Sequence, residues 1–148
     1  MRVLNGREFT VELLMGGFKS VGTTFNAVFC SSNEHINLFR RNAGDILELK
    51  FYGDNNQRIR IPNGLAVLQD SLITITYRQG EFIRVYVNGV LMGEAPAADM
   101  SLDVTDLFIG YPQPAASAEG VYRAVRFYNR ALTGEECAAN AVIDGVRQ

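Results

Sequence analysis

The stretch FIRVYVNGVLMG (residues 82–93), followed by DLFIGYP (106–112) and EGVYRAVRFYNRALTGEE (119–136), decides how the rest of the chain reads. In the first piece Ile83, Val85 and Val87 alternate with Phe82, Arg84 and Tyr86, the period-two pattern of a half-buried strand. That strand runs into Asn88-Gly89. Both central residues of a type I′ turn need positive φ, which Asn tolerates and Gly adopts freely, so the chain folds back as a two-residue hairpin. The last piece ends in Thr133-Gly134-Glu135-Glu136, a capping box in which the Thr133 hydroxyl accepts from the amide at N3 and Glu136 accepts from the cap amide. A helix is therefore expected from Gly134 to about Ile143, packing Cys137, Ala141 or Val142 against the edge of a sheet.

Outward from this stretch the same alternation continues. Phe9, Val11, Leu13 and Met15 share one face, as do Leu47, Leu49 and Phe51, and Ile59 with Ile61. Further strands are expected near Thr24–Cys30, Ile36–Arg40, Leu72–Tyr77, Phe82–Val87, Val90–Met92, Leu107–Ile109 and Val121–Tyr128. Turn signals separate them at Met15-Gly16-Gly17, Tyr52-Gly53-Asp54, Pro62-Asn63-Gly64 and Gln79-Gly80. About ten short strands and one terminal helix imply an all-β sandwich of antiparallel sheets.

A chain of 148 residues with 47% hydrophobic content fits one domain, which at this size buries roughly 68–70% of the surface of its unfolded chain. The net charge of −2 gives no basic field for neutralising phosphates, which argues against nucleic acid as a partner. No apolar run reaches the length needed to span a bilayer. The first residues, MRVLNGREFTVELL, lack the apolar core and cleavage site of a signal peptide, so the chain reads as cytoplasmic or, preferably, as a domain excised from a larger protein. Cys30 falls in an expected strand and Cys137 in the helix. Both read as buried free thiols, a disulfide depending on folded geometry that spacing alone does not give.

The order of motifs resembles the laminin-G-like branch of the concanavalin A-like lectin and glucanase superfamily. There a YVNG hairpin, an LxIG strand, a G-x-I-x-x-V-R-I-Y-N-R-A-L strand and a T-x-E-E helix start follow one another. The resemblance is most specific over residues 73–140 and general before Phe51. It implies a two-sheet antiparallel jelly-roll sandwich with one short C-terminal helix, spanning residues 1–148 and commonly used to bind carbohydrate. It also implies that Arg126, Tyr128, Asn129, Arg130 and Leu132 support the scaffold whatever the ligand.

Catalysis finds no support in the sequence. A glycosidase needs two carboxylates about 5–10 Å apart, and the E-x-D-x-x-E pattern of hydrolytic relatives does not occur. Asp99, Asp103 and Asp106 fall in loop sequence, and the pairs Glu8/Glu12 and Glu135/Glu136 flank element starts. His35, the single histidine, has no acidic partner at suggestive spacing, and one His with two distant Cys builds no zinc site. Calcium is the one cofactor the resemblance raises, with Gly53-Asp54-Asn55-Asn56 and Asp99/Asp103/Asp106 as hard-oxygen candidates. Against it, Arg123 stands where many relatives carry an Asp, so no metal is assigned.

What remains is binding. With Ile83, Val85 and Val87 inward, Phe82, Arg84 and Tyr86 fall on the opposite face. With Val121, Val125 and Phe127 inward, Tyr122, Ala124, Arg126 and Tyr128 do the same, and Arg58 and Arg60 alternate with Ile59 and Ile61. Such a face would offer tyrosine rings to the C–H face of a sugar and guanidinium forks to carboxylates or sulfates. Twelve of the 14 basic residues are Arg, which tilts the expectation toward an acidic glycan or acidic protein surface. Ligand choice in such sandwiches more often lies in loops, and those over 52–57 and 111–119 carry a ring beside polar groups. The candidate ligand-binding residues are Tyr52, Asp54, Asn56, Tyr111, Arg84 and Tyr86. The function expected is a non-catalytic carbohydrate-binding or adhesion module of a larger bacterial or phage-associated surface protein, located extracellularly or at a cell or virion surface. The alternative is a structural or oligomerisation domain that binds protein subunits.

Overall fold

Strands that alternate apolar and polar residues must hide one face, and two sheets hiding theirs against each other is how this chain does so. The structure, a computed structural model, describes residues 2–4, 7–19, 25–32, 35–51, 58–98, 102, 104–105, 107–109 and 119–145. In chain order the elements are β1 (Arg2–Leu4), β2 (Glu8–Lys19), β3 (Phe25–Ser31), β4 (Ile36–Arg41), β5 (Ile46–Phe51), β6 (Arg58–Pro62), α1 (Gly64–Val67), β7 (Leu72–Arg78), β8 (Phe82–Val87), β9 (Val90–Ala95), β10 (Val104–Thr105), β11 (Leu107–Ile109), β12 (Glu119–Tyr128) and α2 (Gly134–Ile143). They form two five-stranded sheets, ordered β11–β3–β4–β5–β6 and β12–β2–β7–β8–β9, with β1 paired to β10. Every described pairing is antiparallel. This is the concanavalin A-like sandwich that the motif order implied.

The core lies between the sheets. Phe9, Val11, Leu13, Ile73, Ile75, Tyr77, Ile83 and Val85 of one sheet meet Phe29, Ile36, Leu38, Leu47, Leu49, Phe51, Ile59 and Ile61 of the other, all nearly inaccessible. Phe9 and Tyr77 stack with ring centroids 5.0 Å apart, and the Tyr77 hydroxyl accepts from the Leu102 amide at 3.2 Å.

The hairpin adopts the geometry its sequence demands, with φ of 53° at Asn88 and 80° at Gly89. Asn88 does more than turn: its Oδ1 accepts from the Leu72 amide and its own amide donates to the Leu72 carbonyl, both at 2.8 Å. A Cβ on Gly89 would stand 2.6 Å from Ala138 Cα, so this glycine also lets α2 approach the hairpin. The helix begins at its capping box, with Thr133 Oγ1 accepting from the Glu136 amide at 3.2 Å and Glu136 accepting from the Thr133 amide at 3.1 Å. It buries Cys137 and Ala141 on the outer face of the second sheet, while Val142 stays 68% exposed.

Two expectations need correction. β12 does not keep one phase: register shifts around Tyr122 and Arg123 put extra backbone against β2, and a bulge of this kind flips the faces beyond it. Tyr122 thereby joins the core side, where its hydroxyl donates to the Val28 carbonyl at 2.8 Å and burial pushes its pKa up to about 12. Val121, expected inside, is 58% exposed, whereas Phe127 keeps the core-side phase opposite Val11 and is 44% exposed because β12 is an edge strand. The short elements β1, β10 and α1 were not anticipated, because segments of two to four residues carry too little periodicity to read.

Candidate functional site

The two sheets present two outer faces, and they differ in what covers them. On the β12–β2–β7–β8–β9 face, pairing lines up Arg126, Glu12, Thr74, Tyr86 and Leu91 in one row and Tyr128, Thr10, Thr76, Arg84 and Glu94 in the next. The helix lies over this face. Glu12 is wholly buried and accepts from Tyr128 Oη at 2.9 Å, Asn140 Nδ2 at 3.1 Å, Thr74 Oγ1 at 3.3 Å and Arg126 at 3.5 Å. Arg126 grips Asp144 at the helix C-cap through two bonds of 2.7 and 2.8 Å, and that pairing raises its pKa. Thr10 Oγ1 accepts from the Leu132 amide and donates to the Arg130 carbonyl. The Asn129–Leu132 signature thus stitches the strand-to-helix corner onto β2, as the resemblance implied.

Tyr86, expected on an open face, is 5% exposed and packs with Leu132, Cys137 and Tyr128. Burial raises its pKa, and the ring is withdrawn from any ligand outside. Arg84 lies beside a shallow groove of about 620 Å³ lined by Arg78, Glu81, Phe82, Arg84, Glu94, Ala95 and Pro96. Its guanidinium stacks 3.8 Å over the Phe82 ring and pairs with Glu94, the hydrogen bond to Glu94 being the main reason its pKa is raised. Arg78, on the same ring at 5.3 Å, pairs with Glu8 and Glu81. Arg123, at the bulge, pairs with Asp70 and donates to the Met15 carbonyl. Each of these cations already has its carboxylate.

The opposite face, of β11–β3–β4–β5–β6, is built differently. Register places Asn37, Lys50 and Arg58 in one row, Phe39, Glu48 and Arg60 in the next, and Arg41, Ile46 and Pro62 beyond. Three guanidinium groups here share one carboxylate among the described residues. Glu48 is wholly buried at the centre, receiving Arg60 Nε at 2.8 Å, Arg41 Nη2 at 3.0 Å and Arg58 Nη1 at 3.2 Å. Burial alone would push its carboxyl up, but the three guanidinium donors outweigh that and hold it below the usual carboxylate range. Arg60 and Arg41 reach from Glu48 into solvent, 61% and 43% exposed. Lys50 pairs with no carboxylate among the described residues, and the buried Oδ1 of its neighbour Asn37 has no hydrogen-bond partner.

Tyr52, Asp54, Asn56 and Tyr111 lie outside the described residues, as do the calcium candidates Asp99, Asp103 and Asp106. The strands that lead into them are described. Lys50 and Arg58 close the β5–β6 hairpin immediately before and after the segment carrying Tyr52, Asp54 and Asn56, and β11, which precedes Tyr111, is the far edge strand of the same sheet. Arg84 and Tyr86 belong to the other sheet and face away from it. Among the described residues no cluster of His, Cys, Asp or Glu can hold a metal.

Alternation in the sequence puts Arg58 and Arg60 on one face but does not by itself add Glu48, Arg41 and Lys50. The available signal was ILELK (residues 46–50), where Glu48 and Lys50 alternate with core leucines and so must point outward. That Glu48 faces Arg60 across the ladder depends on hairpin register.

A laminin-G-like sequence profile matches residues 2–138. The chain belongs to the concanavalin A-like lectin/glucanases superfamily. Its solved structural relatives in that superfamily's fold include a candidate carbohydrate-binding protein of Bacteroides ovatus, at 21% identity and TM-score 0.68, aligned over 92% of this chain and 41% of that one. A native heptameric SAP-like pentraxin of Limulus polyphemus aligns at 16% identity and TM-score 0.65 over 95% and 73% of the two chains. A botulinum neurotoxin type C structure, from a toxin whose cell entry depends on two ganglioside molecules, aligns at 12% identity and TM-score 0.66 over 93% and 36%. The chain thus spans well under half of the Bacteroides and neurotoxin chains. A comparison with curated proteins finds no match.

Proposed function

We propose that this domain is a non-catalytic carbohydrate-binding module of a larger surface or secreted protein, and that it binds glycan on the outer face of the β4–β5–β6 sheet, at the end of the β5–β6 hairpin. The observation that carries the reading is the asymmetry of the two faces. One is closed by α2 and its charges are paired off; the other turns Lys50, Arg41 and Arg60 outward beside the segment that holds Tyr52, Asp54 and Asn56. Tyrosine offers a ring for stacking and the polar side chains offer directional hydrogen bonds, the usual make-up of a sugar site in a chain without tryptophan. A single site of this kind binds weakly and gains from repetition in the parent protein.

The non-catalytic part of the reading rests on the buried carboxylates. Glu12 and Glu48 are each saturated with donors and lie on outer faces of opposite sheets, so they cannot flank one glycosidic bond. A glycan array probed with the folded protein, with calcium and with chelator, tests the reading. Saturable binding to a defined set of glycans, weakened by Tyr52→Ala and by Arg60→Ala, is expected. A blank array with folded protein contradicts it.

A second reading is supported by one observation. Val90, Leu91 and Met92 on the edge strand β9 are 49%, 47% and 43% exposed, and an unpaired edge with apolar side chains suits a protein partner. Sedimentation velocity distinguishes the two: a self-associating species disrupted by Leu91→Lys favours the protein-interaction role.

A further inference from the structure

On the outer face proposed above for glycan, positive side chains outnumber carboxylates among the described residues. Glu48 can satisfy one positive charge in full, yet three guanidinium groups converge on it and Lys50 stands beside them without a carboxylate of its own. Lys50 and Arg58 are directly opposite each other, and like charges in that position are destabilising unless something compensates. Next to Lys50 in the same row, Asn37 holds a buried Oδ1 with no hydrogen-bond partner, a group that ordinarily finds one. Among the described residues, an excess of cations and an unsatisfied acceptor thus sit side by side where β5 and β6 lead into the 52–57 segment.

We propose that this corner is an anion subsite, and that the glycan it takes is an anionic saccharide, one bearing carboxylate or sulfate groups. Lys50 meets the anionic group as a mobile point charge. Asn37, whose amide oxygen is covered in the free domain, turns outward to accept a hydroxyl hydrogen from the same sugar residue, which relieves its orphaned oxygen. Arg41 and Arg60 carry positive potential along the face for the neighbouring residues of the chain. Glu48 is a positioning residue: it does not touch the ligand, but it fixes two exposed arginines in extended poses that would otherwise cost rotamer entropy to select. A neutral glucan would leave Lys50 uncompensated and gain nothing from this field.

The inference rests on the glycan-binding reading, and its test separates the two. Isothermal titration uses matched pairs: oligogalacturonate against its carboxyl-reduced form, and chondroitin sulfate oligosaccharide against its desulfated form, each at low and high salt. The anionic member of at least one pair is expected to bind roughly tenfold or more tightly than its counterpart, with the margin shrinking as salt screens it. Which pair responds tells carboxylate from sulfate. Lys50→Met, which keeps the apolar stem, should remove most of that margin. Arg123→Ala, which deletes one exposed positive charge elsewhere, should leave it. Glu48→Gln should reduce it by freeing the arginines, with the folded state checked by circular dichroism. Equal binding of charged and neutral members overturns the inference while the glycan-binding reading stands. Anion-selective binding that survives Lys50→Met places the subsite elsewhere and also overturns it. Failure of every member to bind removes both.

Discussion

Glu48 shows how one side chain can be spent on organisation. A buried carboxylate with three guanidinium donors is costly to break, because removing its charge strands its partners. Glu48→Gln should cost about 2 kcal/mol of stability, below the roughly 3–5 kcal/mol of a fully buried pair because Arg41 and Arg60 remain solvated; urea denaturation measures it. Since the folded-state pKa of Glu48 is depressed, its contribution is complete above the ordinary unfolded carboxylate value and is lost as pH falls through the depressed one. Glu136 behaves in the same sense at the helix start: its bond to Arg130, with the Thr133 amide second, draws its pKa down from 4.5 to about 2. Stability measured from pH 5 downward should therefore decline through the interval between the ordinary carboxylate value and about 2, and Glu136→Gln should flatten part of that decline. An unchanged acid limb in both variants would mean that these carboxylates are not paired in solution.

At the scale of elements, the β8–β9 hairpin and α2 pack directly against each other. Gly89→Ala forces both a positive φ and a Cβ against Ala138, so it should destabilise by more than the roughly 1 kcal/mol typical of a glycine turn position. Asn88→Ala, which loses the turn preference and the bond to the Leu72 amide, should cost about 1–2 kcal/mol, and Thr133→Ala about 1 kcal/mol. These costs would be read from shifts in the urea midpoint at unchanged slope. The same elements show what could be read from sequence. The turn, the helix start and the strands that alternate cleanly were legible because each depends on residues adjacent in the chain. The phase of β12 was not, since the bulge at Tyr122 and Arg123 is decided by pairing with β2, distant in sequence. Tyr86 looked like an outward ring for the same reason: alternation tells which side of a sheet a residue takes, and only tertiary packing tells that α2 covers that side. The candidate site was legible only in part. Arg58 and Arg60 fall on one face by alternation, but Glu48 joins them through register, and the loop candidates Tyr52, Asp54, Asn56 and Tyr111 rest on composition alone.

At the scale of the whole molecule, the sandwich separates a sealed half from an open one. Cys137 is buried on the inner side of α2, where burial pushes its thiol up to about 12, and Cys30 is buried in β3 of the other sheet; both are free thiols. Both should resist thiol reagents in the native state and react only as fast as the domain opens; rapid labelling of Cys137 at neutral pH would show that the helix does not seal its face. The central claim is that ligand binds the open face, and amide chemical-shift mapping during titration with a bound glycan tests it most directly. The account predicts shifts concentrated in residues 36–41, 46–51 and 58–62, with β7, β8 and α2 undisturbed. Shifts confined to Arg78–Arg84 and Glu94, or to the helix and its underlying strands, would contradict it.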